Sequence, residues 1–257
     1  MLLACDIGNS NLVVGVFDGA DPAASWRLPT EPRWTADQYA ATVLALLDSE
    51  GIPADDVTGA VVSSVVPPLS GVWHDVCLRY FGIAPVVVSA ETAAGLSIGY
   101  AKPEQVGADR LANAVAAREL YDGDLVIVDF GTAVTVCAVT ADGQYLGGMI
   151  CPGIGTAADA LYERAAMLHP VRLDGPVSTI GRDTAESLRS GIVLGYAAMV
   201  DGLVGRIRRD ALSPEATVIA SGGWAELVAD HSDTIQYVEP DLTLIGLRII
   251  YEANSGD

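Results

Sequence analysis

A chain of 257 residues with a hydrophobic fraction of 51% can bury roughly three quarters of its unfolded surface, as one large domain or as two lobes. Fourteen basic against 33 acidic side chains give a formal net charge of −19. Because a surface this negative repels nucleic-acid phosphates and anionic lipids, we expect neither nucleic acid nor a membrane as a partner. Lys102 is the only lysine, which excludes a Walker-type phosphate loop.

The cysteines and the N-terminus indicate a protein of the cytoplasm. The four cysteines are far apart in the chain and form no CxxC pair, so we expect reduced thiols and no zinc site. Asp6 interrupts the N-terminal apolar run before a signal-peptide core could form. No apolar run is expected to be long enough to span a membrane. The predicted location is therefore cytoplasmic.

The first half of the chain predicts a meander of three strands followed by alternating helices and strands. Residues 2–6, 11–18 and 25–29 are the predicted strands of the meander. Thr35 and Gln38 form a capping-box pattern before a helix that Gly51 ends. Strands at 60–66 and 85–88 enclose a helix at 69–80, and their unbroken apolar runs indicate burial on both faces.

The second half repeats this order. Residues 125–139 form a strand, a glycine turn and a strand, and 144–150 adds a third strand. Helices at 157–168 and 184–212 follow, the second capped by Asp183 with Glu186. A strand at 217–220 and a helix at 242–253 complete the pattern. Internal similarity at about half the chain length predicts duplicated lobes, 1–115 and 116–257, joined through a helix at 109–121.

Two matched turns carry the strongest functional signal. Asp6 and Asp129 each end a strand, and a glycine follows each of them two residues later. Such turns direct backbone N–H groups at a ligand, and glycine permits phosphate oxygens to approach closely. The carboxylates can hold cations that offset the phosphate charge. The pair therefore predicts a triphosphate site, whereas either turn alone would be an ordinary hairpin corner.

Asp109 and Arg110 open a predicted helix and have two interpretations. An aspartate at this position is usually an N-cap, stabilised by free N–H groups and the helix dipole. Alternatively, Asp109 is a general base for an attacking hydroxyl and Arg110 binds an anionic group. Spacing alone favours the cap.

A competing motif suggests an esterase. Residues 95–99 match the GxSxG nucleophile elbow, and His169 or His231 could complete a serine triad. The elbow requires a helix directly after the serine, but Pro103 follows closely and disfavours one. We therefore expect the match to be accidental.

The ordered motifs DIGNSN, VGADR, VDFGTAVTV, GGxIxPG and a late SGG resemble those of type III pantothenate kinases, from Met1 to about Asn254. The resemblance implies an α/β fold of the actin and Hsp70 kind, with two ribonuclease H-like lobes of order βββαβαβα around a nucleotide cleft. It implies an enzyme that uses ATP to phosphorylate pantothenate, the first step of coenzyme A synthesis. A nucleotide-binding regulatory protein on the same fold, without kinase activity, is the alternative.

The resemblance also implies roles for individual residues. The residues implied to bind ATP are Asp6, Ile7, Gly8, Asn9, Ser10, Asn11, Leu12, Val13 and Thr132. Asp6 would lie near Mg²⁺, and Asp129 would bind K⁺ or NH₄⁺. Asp109 would be the catalytic base. The residues implied to contact pantothenate are Tyr100, Gly107, Ala108, Asp109 and Arg110, with Thr184 supplied by the other subunit of a homodimer.

Four positions depart from the family pattern. Ser10 stands where threonine is usual, Cys137 near an expected aspartate, and His169 in place of a proline. Asp183 stands where asparagine is expected, and its negative charge would weaken binding of an anionic substrate unless it only caps its helix.

Overall fold

The computed structural model describes residues 1–256 and divides the chain into two compact units. The first contains Met1–Ala116 together with the C-terminal segment that begins at Leu242, and the second is Ala117–Asp241. The sequence-based division at 115/116 differs from this one in the C-terminal segment, which it assigns to the second lobe. The final helix packs against strands of the first unit, and this packing is the reason for the difference.

The first unit is built on a five-stranded sheet in the order β3-β2-β1-β4-β5. The meander β1–β3 is antiparallel, and β4 and β5 continue the sheet parallel to β1. The bounds are β1 Leu2–Ile7, β2 Asn11–Asp18, β3 Asp21–Pro29, α1 Ala36–Ser49, β4 Gly59–Ser64, α2 Pro67–Tyr80, β5 Val86–Val87, β6 Ser97–Ile98, α3 Ala108–Leu120 and, from the C-terminal segment, α7 Leu242–Asn254, with 3₁₀ turns at Ala54–Asp56 and Pro103–Gln105.

Helices cover both faces of this sheet. Tyr39 of α1 and Trp73 of α2 are fully buried with their ring centroids 5.3 Å apart on one face. Helix α7 packs on the other, where Leu244 fills the space beside Gly15 of β2. Burial on both faces was predicted for the strands at 60–66 and 85–88, and β4 confirms it. The prediction is wrong for the second run, because only Val86–Val87 forms a strand there and Val87 is 51% exposed at this edge of the sheet.

The second unit repeats the design. Within it, strands run in the order β11-β10-β7-β8-β9, with β7–β9 antiparallel and β10 and β11 parallel to β7. The predicted duplication is confirmed by this repeated topology. The bounds are β7 Leu125–Phe130, β8 Ala133–Val139, β9 Gln144–Pro152, α4 Ile154–Arg164, α5 Thr184–Asp210, β10 Thr217–Ser221, α6 Ala225–Ala229 and β11 Tyr237–Val238.

The capping residues in the sequence correctly predicted three helix ends, two of α1 and one of α5. Thr35 and Gln38 form the predicted capping box, and Gly51 has a φ of +69° after the end of α1. Asp183 accepts a hydrogen bond from the Glu186 N–H at the start of α5. Strand bounds were less accurate: β3 is longer than the predicted 25–29, because main-chain pairing with β2 continues to polar Asp21.

Helix α5 is long and apolar enough to cross a membrane by length and composition. Its best 18-residue window has a mean hydropathy of 1.3, and 33% of that window is buried. The expectation that no run of this chain meets such criteria is therefore wrong. One such helix is weak evidence for a membrane span, since a core helix passes the same test, and Val193, Val200 and Val204 of α5 lie in the core of the second unit.

A glycine in α7 provides a test of this packing. A methyl group at Gly246 would overlap the Ala112 carbonyl of α3, so Gly246→Ala should lower the free energy of unfolding by about 1–3 kcal/mol. Gly202 lies in the interior of α5 with nothing within 4 Å of a built Cβ, so Gly202→Ala is the matched control and should be neutral or stabilising by up to about 1 kcal/mol. Urea denaturation measures both. Equal effects would contradict the packing of α7.

Candidate active site

The first phosphate-loop candidate begins at the carboxyl end of β1. Asp6 is half-buried and pairs in register with Ser63 of the parallel strand β4. The Ser63 hydroxyl donates to Asp6 Oδ1 over 2.9 Å, which fixes the orientation of the carboxylate. Ser63 was not predicted from the sequence, although two serines at the end of an apolar strand are a usable signal.

The turn that follows β1 is tight and exposes its polar residues. The Gly8 N–H donates to the Asn11 carbonyl over 3.1 Å, and a Cβ on Gly8 would lie 2.7 Å from that oxygen, so glycine is required. Asn9 and Ser10 are exposed. Ile7 is fully buried, as is Leu12, which leaves only backbone groups for a ligand at these two predicted positions. Val13 is half-buried, and Asn11 is exposed.

The second candidate turn stands at the matching place in the second unit. Asp129 of β7 pairs in register with Ser221 of the parallel strand β10. Gly222 has a φ of +89°, and a Cβ on it would lie 2.6 Å from Asp129 Oδ1. The SGG turn, a weak signal in sequence, therefore lies against the Asp129 carboxylate. Thr132 is exposed in the turn between β7 and β8.

Asp109 lies at the same edge of the first sheet as Asp6. It is the second residue of α3, and its Oδ1 accepts a hydrogen bond from the Arg110 N–H over 2.8 Å. A Cβ on Gly107 would touch Asp109 Oδ1, and it would lie 3.6 Å from the Val65 side chain. The Val65 N–H in turn donates to the carbonyl of Ile7, the last residue of β1. Helix α3 begins at Ala108, so its N-cap position is Gly107, and Asp109 lies two residues after the position that the favoured N-cap interpretation requires.

Burial changes the acidity of Asp109. Desolvation raises the pKa of its carboxyl above the ordinary value, and the Arg110 N–H and the Arg110 charge oppose this only in part. A carboxylate with a raised pKa is a stronger base than an exposed one. This property suits the alternative interpretation of Asp109, as a general base.

The other predicted substrate residues of the first unit surround Asp109 in the chain. Arg110 and Ala108 are buried, Gly107 is half-buried, and Tyr100 is half-buried in the loop before Pro103–Gln105. The burial of Arg110 leaves little of its guanidinium open to solvent. Gly107, Ala108 and Arg110 adjoin Asp109 at the start of α3, and Tyr100 precedes them in the loop before Pro103–Gln105.

Thr184 lines an open pocket of about 490 Å³ in the second unit. It is the first residue of α5 and is exposed. The pocket is lined by Leu168, Gly181, Arg182, Asp183, Thr184, Ser187 and Leu188. The Asp183 carboxylate caps α5 by accepting a hydrogen bond from the Glu186 N–H. At a helix N-terminus its negative charge is stabilised by the helix dipole.

The remaining departures have local explanations or none. Cys137 is buried and accepts a hydrogen bond from the Tyr145 hydroxyl over 3.3 Å, so it is part of the core. Ser10 is exposed in the first turn, and His169 is exposed on the surface. Nothing in the structure explains His169.

The esterase motif lacks its required geometry. Ser97 lies in the two-residue strand β6, and the next element is the 3₁₀ turn Pro103–Gln105 rather than a helix directly after the serine. The strand–turn–helix of a nucleophile elbow is therefore missing around Ser97.

Cation binding would rely on single carboxylates together with other oxygen ligands. Among residues 1–256, no three or more His, Cys, Asp or Glu side chains form a group that could hold a metal ion. Single carboxylates such as Asp6 fit a cation whose other ligands are phosphate oxygens and water, as Mg²⁺ prefers. Asp129 and the Phe130 carbonyl, both beside Gly222, offer oxygen ligands of the kind that suit a hard cation.

Comparison with solved structures gives the fold. A candidate Baf family transcriptional activator from Campylobacter jejuni is 20% identical, with a TM-score of 0.61 and coverage of 98% of both chains. The inorganic polyphosphate/ATP-glucomannokinase from Arthrobacter sp. strain KM is 15% identical, with a TM-score of 0.51 and coverage of 98% of both chains. At these identities the likeness concerns the fold alone.

Comparison of sequences gives the family. A family model described as type III pantothenate kinase matches residues 2–206. A type III pantothenate kinase from Roseiflexus sp. (strain RS-1) is 45% identical over 254 residues, which cover 99% of this chain and 99% of that protein. Since the model matches most of the chain and the relative spans nearly all of it, this chain belongs to the type III pantothenate kinase family.

Proposed function

We propose that the protein transfers the terminal phosphoryl group of ATP to the primary hydroxyl of pantothenate, which opens coenzyme A synthesis in the cytoplasm. Family membership supports the substrate pair. The structural observation that best supports the chemistry is the position of Asp109, a half-buried carboxylate at the sheet edge where the Asp6 turn begins. A nucleotide-binding protein without kinase activity has no need of a basic carboxylate there.

The reaction follows from these groups. Asp109 accepts the proton of the pantothenate hydroxyl while that oxygen bonds to the γ-phosphorus and the bond to the β-phosphate oxygen breaks, releasing ADP. The exposed turn after Asp6 and the turn containing Thr132 supply N–H groups to phosphate oxygens. Arg110, Tyr100, Gly107 and Ala108 hold pantothenate. Phosphoryl transfer depends mainly on positioning and charge stabilisation, so one proton acceptor suffices.

Cations offset the phosphate charge in a protein that itself carries −19. We assign Mg²⁺ to the Asp6 side of the site and K⁺ or NH₄⁺ to Asp129. When bound, these ions neutralise charge on the phosphates. The same net charge repels nucleic-acid phosphates and anionic lipids, which supports a protein that binds neither nucleic acid nor a membrane.

Turnover with defined substrates tests this function. With ATP and Mg²⁺, ADP release should require pantothenate, and mass spectrometry should detect 4'-phosphopantothenate. Exchange of K⁺ for Na⁺ should lower the rate, and Asp129→Asn should abolish that difference, because its carboxylate binds the ion. Pantothenate-independent ADP release, or none, would contradict the proposed activity. Indifference to the monovalent ion would contradict only the role of Asp129.

The variant Asp109→Asn tests whether Asp109 is the catalytic base. It should remove most turnover and leave nucleotide affinity unchanged. Because burial raises the pKa of Asp109 in the folded state, its ionisation opposes folding, and this cost grows as pH rises from the unfolded pKa through the folded one. Asp109→Asn should therefore be at least as stable as the wild type at neutral pH, with no advantage at acid pH. A loss of stability with normal turnover would make Asp109 a purely structural helix residue.

We further propose a homodimer in which Thr184 of one subunit contacts pantothenate held by Asp109 of the other. Thr184 is exposed on an open pocket, which supports a contact with a ligand held by the other subunit. Arg182 in the same pocket supplies a positive charge suited to an anionic substrate.

Mixed dimers test this arrangement. Asp109→Asn and Thr184→Arg proteins should each be inactive, but a mixed dimer contains one doubly altered site and one intact site. Random exchange of equal amounts makes half of the dimers mixed, so about a quarter of wild-type activity should return. A mass-tagged subunit verifies exchange. No recovery despite exchange would contradict the shared site.

A further inference from the structure

The first phosphate-loop candidate is held from outside by a residue with no assigned role. The Thr30 hydroxyl donates to the Gly8 carbonyl over 2.7 Å. The Thr30 N–H donates to the Ser10 carbonyl over 3.1 Å. Thr30 thus binds two of the carbonyl groups of the turn, from a position 22 residues away in the chain.

Thr30 is itself fixed to the core. Tyr39 is fully buried in α1, and its hydroxyl accepts from the Glu31 N–H and donates to the Glu31 carbonyl, each over 3.0 Å. Both backbone groups of the residue after Thr30 are therefore bound to one rigid side chain. The position of Thr30 follows from the packing of α1 rather than from the exposed loop around it.

The second unit contains the same arrangement with different residues. The Thr156 hydroxyl of α4 donates to the Thr132 carbonyl over 2.9 Å, and the Gly153 N–H donates to the same oxygen over 3.2 Å. The Tyr196 hydroxyl of α5 donates to the Pro152 carbonyl over 2.9 Å and to the Gly153 carbonyl over 3.1 Å. In each unit a threonine hydroxyl binds a turn carbonyl, and a tyrosine hydroxyl anchors the adjoining backbone.

These bonds determine where the turn N–H groups point. A carbonyl and the N–H of the next residue belong to one planar trans peptide and point in opposite directions. By holding the Gly8 carbonyl, Thr30 turns the Asn9 N–H the other way. Across residues 1–256, the Asn9 N–H donates to no protein atom, and Asn9 is exposed, so this donor is available to a ligand. Rotation of the peptide would instead present a carbonyl, which repels phosphate.

We propose that Thr30 and Thr156 are positioning residues that keep the two turns in the orientation that binds nucleotide phosphates. Neither is a catalytic residue, since each acts through the peptide that it holds. The ligand class is a polyphosphate, because the presented groups are N–H donors at glycine turns without lysine. The proposal takes its enzymatic readout from the proposed kinase function, but nucleotide binding alone also tests it.

Isosteric substitution separates positioning from packing. Thr30→Val keeps the shape of the side chain and removes the hydroxyl, whereas Thr30→Ser keeps the hydroxyl. Thr42→Val is the matched control, since the Thr42 hydroxyl also donates to a carbonyl, that of Gln38, but within α1. Thr156→Val and Thr156→Ser form the parallel pair. Calorimetry with a non-hydrolysable ATP analogue and Mg²⁺ gives Kd, and steady-state assays give separate KM values for ATP and pantothenate.

Both valine variants should raise the nucleotide Kd and the KM for ATP by about three- to tenfold, the effect of one hydrogen bond. The KM for pantothenate should stay within about twofold, a split that a general loss of stability would not produce. The serine variants should restore binding, and Thr42→Val should bind as the wild type does.

Wild-type nucleotide affinity in Thr30→Val and Thr156→Val would overturn the proposal, as would an equal rise for Thr42→Val. If Thr30→Val does not fold, Thr156→Val provides the same test in the second unit. A wild-type protein that binds the analogue but does not phosphorylate pantothenate would contradict the proposed function, while the Kd values would still decide the role of the threonines.

Discussion

The register of two parallel strand pairs places the two carboxylates that we propose bind cations. Asp6 of β1 stands opposite Ser63 of β4, and Asp129 of β7 stands opposite Ser221 of β10. In each pair the strands end within one residue of each other, so the loops after them begin at one edge of the sheet, where ligands bind in open α/β sheets. A shift of one residue in either pair would turn the aspartate to the other face. The positions of the glycine turns depend on this register.

A chain with a net charge of −19 and one lysine must attract an anionic substrate by other means. Backbone N–H groups at glycine turns do so without adding side-chain charge, and their effect requires fixed orientation, because a rotated peptide presents a carbonyl instead. Gly8 and Gly222 allow the necessary close approach of backbone to backbone. Thr30 and Thr156, each beside a tyrosine anchor, fix the peptides in place. We infer that the acidic protein relies on rigid dipoles and bound cations.

Features encoded locally could be predicted from the sequence. The meander, the capping box at Thr35 and the glycine stop at Gly51 depend on neighbouring residues, and the duplicated turns were visible as a repeated pattern. Asp109 was singled out from the sequence, where spacing favoured a cap, and the proposal of a base rests on its partial burial and its raised pKa. Features that depend on distant contacts were not predictable: Thr30 reaches Gly8 across 22 residues, and α7 returns to the first unit because its apolar face fits beside Gly15.

The amide resonance of Asn9 reports most directly on whether the oriented turn binds phosphate. In ¹H–¹⁵N spectra of the labelled protein, addition of ADP with Mg²⁺ should move the Asn9 amide proton downfield, because an N–H that donates to a phosphate oxygen is deshielded. Adenosine, which lacks phosphates, should leave it in place. An Asn9 resonance that does not move at saturating ADP, while other resonances do, would show that nucleotide phosphates bind elsewhere and would contradict the role of this turn.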